Sequence, residues 1–567
     1  MMADNAQTGD AVRLISEAWE LSRESAFVQM WQGERPGHLP DFSAEAARAA
    51  SAKAQAIARQ IDRIDAWSLP HAIGVPLRQA RYAMGVREHA GDWYPVVFDP
   101  SGVGFYGLFA PSAYCGGFVL QFFMDSLTRQ QFATGGDLDR YLATLHDLAG
   151  CVDQMVERTL EQSRVGMRIS KPQLPAARAI IAGFKGRVAH LVPEGTERFA
   201  SALSGEEGRF QREARLRLTD RVGPAFDRWA AILDERYEAL APEGVGMAQY
   251  DGGAEIYREL VRLHTTLDLE PREIHEIGLE RLARIQQQMR SIRSQAGYPD
   301  DPAAYETQVK ADARFVAETP EAVGAVFQRY IDRMDRVYAC AFPEPLKVGY
   351  GASPLPKALE GSMTFGFYSP AKAGQPTGQY MFNSHHLTQV PLHTIAALTY
   401  HELVPGHHLH IASQYGNETL LPISRNAFCN AFNEGWAEYA ATLAGELGLY
   451  ETPEERYGRC ALDAFLTCRL VVDTGMNALG WSLERAREFM RANSSMSDAE
   501  IRSETLRYSC DIPGQALAYK LGDTELMRAR ETARAARGDK FDLMDFHARV
   551  LAFGGMPLRD LHRYLNG

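Results

Sequence analysis

The sequence predicts a mostly α-helical protein with one small β element. Apolar residues recur at helical spacing through most of the chain. Strand-like text is concentrated between residues 350 and 383, with one looser aromatic patch near the N-terminal end. No internal repeat or low-complexity linker interrupts the pattern, so no sharp domain boundary is expected.

Taken in order, residues 43–64 and 137–163 read as core-facing helices. Between them, 92–118 is aromatic and glycine-rich and predicts loop with short strands. RFQREARLRLTD (209–220) holds four arginines, but Glu213 and Asp220 lie among them, so a solvated helix face is expected. In 271–295, Ile274, Ile277, Leu282, Ile285, Met289 and Ile292 form one stripe. In 320–342, Val323, Val326, Phe327, Tyr330, Ile331, Met334 and Val337 do the same. Residues 350–383 carry Pro and Gly at turn spacing, with strand-like patches at MTFGFY and QYMFN. HTIAALTYHELV (393–404) and FNEGWAEYAATLAGELG (432–448) are helical again.

Composition sets the function classes. The 567 residues are 46% hydrophobic, enough for a large core, and length alone suggests more than one domain. The net charge of −12 and the lack of a basic–aromatic run exclude a nucleic-acid partner. No run of about 18 apolar residues exists, so no membrane span is expected. The N-terminal stretch has no apolar core of a secretory signal. Seven scattered cysteines without a C-x-x-C pair read as reduced thiols, and the cytoplasm is the expected compartment.

HELVPGHHLH (401–410) concentrates the chemistry. It begins as His-Glu-x-x-His motifs do, but Pro405 stands where the second histidine belongs. On an unbroken helix His408 would lie about 10.5 Å along the axis from His401, too far to share a metal ion. Pro405 cannot donate to the carbonyl of His401, and Gly406 tolerates unusual dihedrals. A bulge or kink at Val404-Pro405-Gly406 can therefore bring a later histidine under His401. The expected partner is His407, with His408 the alternative. His410 is assigned to a surrounding or surface position.

A third ligand is expected from the next helix. Glu434 lies on mostly apolar text, where a buried acid needs a partner, and a metal ion is one. Glu438, one turn on, is placed to orient a ligand histidine. Glu402 follows the first histidine as a general base does in such hydrolases. Two histidines and a carboxylate are also the ligand set of non-haem iron oxygenases, and an inactive helical binding protein is a third reading. An adjacent Glu402 favours hydrolysis over both.

HELVPGHHLH, NEGWAEYA, RLVVDTG (469–475), GWSLERA (480–486), ETLRYSCDIPGQALAYKLG (504–522) and SMTFGFYSPAKAGQPTGQYMFN resemble domain-of-unknown-function family 885. The match covers roughly residues 260–560 well and the first 250 only loosely. The resemblance implies a large helical metallopeptidase-like fold, similar to the gluzincins angiotensin-converting enzyme, thimet oligopeptidase and the thermostable carboxypeptidases. It implies one Zn2+ ion, a deep cleft between two helical halves, and small peptide or amide substrates. Aligning Gly-His of those relatives with Gly406-His407 supports His407, and their glutamate maps onto Glu434. The chain would then divide into an N-terminal helical region, 1–250, and a metal-binding region, 251–567, or form one cleft-bearing unit. A tyrosine for the oxyanion is implied, with Tyr519 and Tyr508 the candidates. Arg469 and Arg507 are candidates to bind a substrate carboxylate, with Asp473 the expected partner of Arg469. Asn477 departs from the family segment, which usually has histidine there. Substrate identity, exo- or endo-cleavage and oligomeric state are not readable from the sequence.

Overall fold

The computed structural model describes residues 2–355, 357, 366–371, 375–384 and 392–566. Among these residues it is 69% helical, with one three-stranded sheet. Among the described residues no helix is long and apolar enough to cross a membrane.

The expected helices form, with caps that explain their bounds. Ser43 accepts from the Ala46 amide and starts the helix Ala44–Ile61. Thr134 and Asp137 form a reciprocal capping box at the head of Gly135–Arg164. The stripe expected over 320–342 stops earlier: the helix is Pro320–Asp335, followed by a short 3-10 turn, Tyr338–Cys340. The aromatic segment 92–118 is mostly loop, pinned by a bridge between Phe98 and Gly107, and its last residues open the helix Gly116–Arg129. The arginine-rich segment lies on the helix Glu207–Arg217, where Arg217 pairs with Glu213 at 2.9 Å. The largest buried cluster draws on residues from Ala26 to Leu565, so both ends of the chain share one core.

The sheet comprises β1 (Tyr350–Pro354), β2 (Phe367–Ser369) and β3 (Gly378–Phe382), in the order β1-β3-β2. β1 runs parallel to β3, and β2 antiparallel to it. Tyr380 and Phe382 point inward and pack on Phe327. Of the patch MTFGFY, residues 363–365 lie outside the described residues.

Six helices build the region of the motif: α1 (Pro271–Gln295), α2 (Ile395–Glu402), α3 (His407–Gly416), α4 (Asn430–Glu446), α5 (Pro453–Ala478) and α6 (Ala518–Arg537). α1 lies along α5 and α4 along α6. Both contacts depend on absent side chains. A Cβ on Gly278 would come within 2.8 Å of Val471, and one on Gly435 within 2.5 Å of the Gly522 backbone. The second contact sets the register of α6 against the helix that carries Glu434 and Glu438.

Candidate metal centre

The motif helix is broken rather than kinked. α2 ends at Glu402, Leu403 to Gly406 form a turn, and α3 begins at His407. Trp436 holds this turn by donating its indole N–H to the Pro405 carbonyl at 2.9 Å. A Cβ on Gly406 would fall 1.8 Å from the His401 carbonyl oxygen, so only glycine allows so close a return. The turn brings the His401 and His407 rings to 5.0 Å between centroids, nearly perpendicular.

His401, His407 and Glu434 each offer a ligand atom, and these atoms all lie within 4.8 Å of one another. Glu434 Oε2 is 3.4 Å from His407 Nε2 and 3.8 Å from His401 Nε2. That oxygen is buried and makes no well-formed hydrogen bond. Burial works against its charge most strongly, but His407, His401 and Tyr519 together outweigh it and hold the carboxyl below its usual range. Two imidazole nitrogens and an orphaned carboxylate oxygen converging on one point fit a single transition-metal ion of zinc type.

His408 points elsewhere. Its Nδ1 meets the Tyr368 hydroxyl at 2.9 Å and its Nε2 the Val348 carbonyl at 3.1 Å, which ties the sheet to α3. Burial pushes it down to about 4, so it is neutral. His410 is not on the surface; it is 1% exposed and packs on Phe432.

Glu402 is half-buried, and burial raises its carboxyl against the opposing pull of His401 and His407. The inward Tyr380 of β3 lies close enough to feel its charge. Glu438 Oε1 is 2.9 Å from His401 Nδ1, which leaves Nε2 to face Glu434. Its other oxygen takes Lys520 Nζ at 2.8 Å and Arg459 Nη2 at 3.1 Å. Burial disfavours its charge, yet these cations and His401 hold it well below the usual carboxylate range.

Of the two tyrosines, Tyr519 joins this group. Its ring lies parallel to His401 at 6.2 Å, and burial pushes its hydroxyl up to about 12, so it stays protonated. Tyr508 is fully buried; its hydroxyl donates to Glu504 and accepts from Arg469 Nε at 2.8 Å.

Arg469 does not pair with Asp473. Its partner is Glu504, at 3.1 Å, and its guanidinium stacks on Phe465 and Tyr519. Arg507 meets Glu504 at 3.4 Å and donates to Gln515 at 2.7 Å. Both arginines are thus engaged internally, because one buried glutamate attracts two cations. Asp473 instead accepts from Tyr257, Asn477 and the Gly514 amide, and so anchors the turn that leads into α6. Asn477 joins three segments through Asp473, the Tyr508 carbonyl and the Met247 amide.

Sequence reasoning missed Lys520, Arg459, Asp463, Asp523 and Arg281, which form a charged network behind Glu438. The sequence signal was slight: Lys520 adjoins the Tyr519 already singled out.

A family model described as bacterial protein of unknown function (DUF885) matches residues 28–565. The chain belongs to this family. Two solved structures share this fold. One is "the putative lipoprotein from Colwellia psychrerythraea", at 23% identity and a TM-score of 0.85, covering 98% of each chain. The other is "a putative lipoprotein of unknown function from Shewanella oneidensis", at 17% identity and a TM-score of 0.69, covering 98% of this chain and 99% of that one. No curated protein matches the chain.

Proposed function

We propose that this DUF885 protein is a zinc-dependent hydrolase of peptide or related amide bonds in small substrates, akin to the gluzincin peptidases. The observation that carries the reading is the buried, orphaned Glu434 oxygen facing His401 and His407, with Glu402 beside them. His401, His407 and Glu434 would hold the ion. Zinc bound there supplies a Lewis acid for the scissile carbonyl and lowers the pKa of a water.

The chain's own residues supply the rest. Glu402 takes the proton of the attacking water and passes it to the leaving amine. Tyr519, still protonated, donates to the carbonyl oxygen as negative charge builds there. Glu438 fixes His401 with its Nδ1 occupied and its Nε2 free. The oxygenase reading gains nothing from Glu402, since oxygen activation needs no such base. Metal analysis of the purified protein, run alongside a peptide-library digest read by mass spectrometry, tests the proposal. One equivalent of zinc with cleaved peptides is expected; a metal-free, inert protein refutes it.

A further inference from the structure

Glu438 has two faces. One oxygen meets His401, and the other meets two cations of different kinds. Lys520 Nζ lies 2.8 Å from Glu438, 3.0 Å from Asp463 and 2.7 Å from Asp523. The ammonium donates a hydrogen bond to Glu438 and is ion-paired with the other two carboxylates. Arg459 is less constrained: it shares its contact between Glu438 and Thr442, and its Nη1 has no partner. Arg281 closes the far side, reaching Asp523 at 2.7 Å and Asp463 at 3.3 Å. Three cations thus balance three carboxylates from four helices, and Glu438 and Lys520 are both 0% exposed.

Burying so many charges is expensive, and well-packed apolar side chains of similar size are often as stable. The network is therefore better explained by what it orients than by the stability it adds. We propose that Lys520 is a positioning residue for the ligand set, holding Glu438 in the one orientation that fixes the His401 ring. This rests on the reading of His401 as a zinc ligand. The register of α6 gives the arrangement a second consequence. Tyr519 and Lys520 are consecutive, so their side chains diverge by about 100°. Tyr519 lies parallel to the His401 ring while Lys520 binds the carboxylate behind it. The Gly435–Gly522 contact holds α6 where both can act at once.

The test is the zinc affinity of the full chain, measured by competition with a chromophoric chelator. Lys520→Met is expected to lower it by up to the about 10- to 100-fold that losing a direct partner of a ligand costs, because Lys520 reaches His401 through Glu438. Glu438→Gln should do the same, and the double variant should bind no more weakly than Glu438→Gln alone, because Lys520 acts through Glu438. Asp523→Asn removes a partner of Lys520 but no donor of Glu438; it should lower the melting temperature and weaken zinc binding less than Lys520→Met does. If Lys520→Met does not fold, Lys520→Arg serves instead. It keeps the charge but cannot offer three carboxylates one nitrogen, so it should fold and still bind zinc weakly. Zinc affinity equal to wild type in the variant that folds, or full additivity in the double variant, overturns the positioning role. A wild-type protein that binds no zinc overturns the metal reading first and this proposal with it.

Discussion

His401 Nδ1 and Glu438 Oε1 face each other at 2.9 Å in the buried wall behind the motif, and the opposite nitrogen of the same ring lies 3.8 Å from Glu434. The imidazole is thus held between two glutamates of one helix, four residues apart. Glu438 meets the ring at one nitrogen and Glu434 faces it at the other.

Replacing Glu434 by Gln should separate these duties. The fold should persist, since the oxygen makes no well-formed hydrogen bond, while zinc affinity falls by more than the ~10–100-fold expected for an outer partner. Metal content after dialysis, with circular dichroism as the folding control, checks this.

Glu402→Gln should retain zinc at full occupancy and lose turnover by about 10²- to 10⁴-fold, the range of general acid–base catalysis. Near-normal turnover with the metal in place would remove Glu402 from the reaction.

The two tyrosines should respond differently. Tyr519→Phe is expected to lower kcat and kcat/KM together by about 10- to 10³-fold, with KM nearly unchanged. Tyr508→Phe leaves buried Glu504 and Arg469 short of a partner, so it should cost about 1–3 kcal/mol of stability and affect kinetics little. Exchange of these two phenotypes would reassign the oxyanion role.

Gly406→Ala should disturb the motif from within. Its methyl group would meet the carbonyl oxygens of both His401 and Tyr400, so the turn must open. A loss of about 1–3 kcal/mol in stability, together with weaker zinc binding, is expected. Unchanged zinc affinity would show that the turn can shift without moving His407.

Asp511 gives a pH dependence away from the metal centre. Burial raises its carboxyl to about 7, with Arg507 opposing only in part. The unfolded value is near 3.9. Between these values the native protein keeps a proton that the unfolded chain has lost, so its contribution to stability falls as pH rises from about 4 to about 7 and is level above that. Melting temperatures of wild type and Asp511→Asn should therefore differ in slope over that window. Identical slopes would mean Asp511 is already ionised when folded.

The helices and the motif were legible because their signals are local. Pro405 and Gly406 announce a break, and Glu434 stands out as an acid on an apolar helix. What failed was pairing through space. Asp473 is four residues from Arg469 on α5, the spacing of a helical ion pair, yet Glu504 wins the arginine because a π-helical turn and its preceding helix bring it closer. The helix from Pro320 ended at Asp335 although the apolar stripe ran on to Val337. Arg281, Arg459, Asp463 and Asp523 carried no sequence signal, because nothing in spacing says that four helices will gather them around one lysine.

Tyr519 and Lys520 come late in the chain, more than a hundred residues after His401. A nascent polypeptide therefore carries both histidines and Glu434 well before it carries the lysine that steadies Glu438. During synthesis His401, His407 and Glu434 are present before Lys520, and the finished geometry waits for α6 to dock. Products truncated before that helix would keep the whole recognisable motif and still lack the means to hold it in shape.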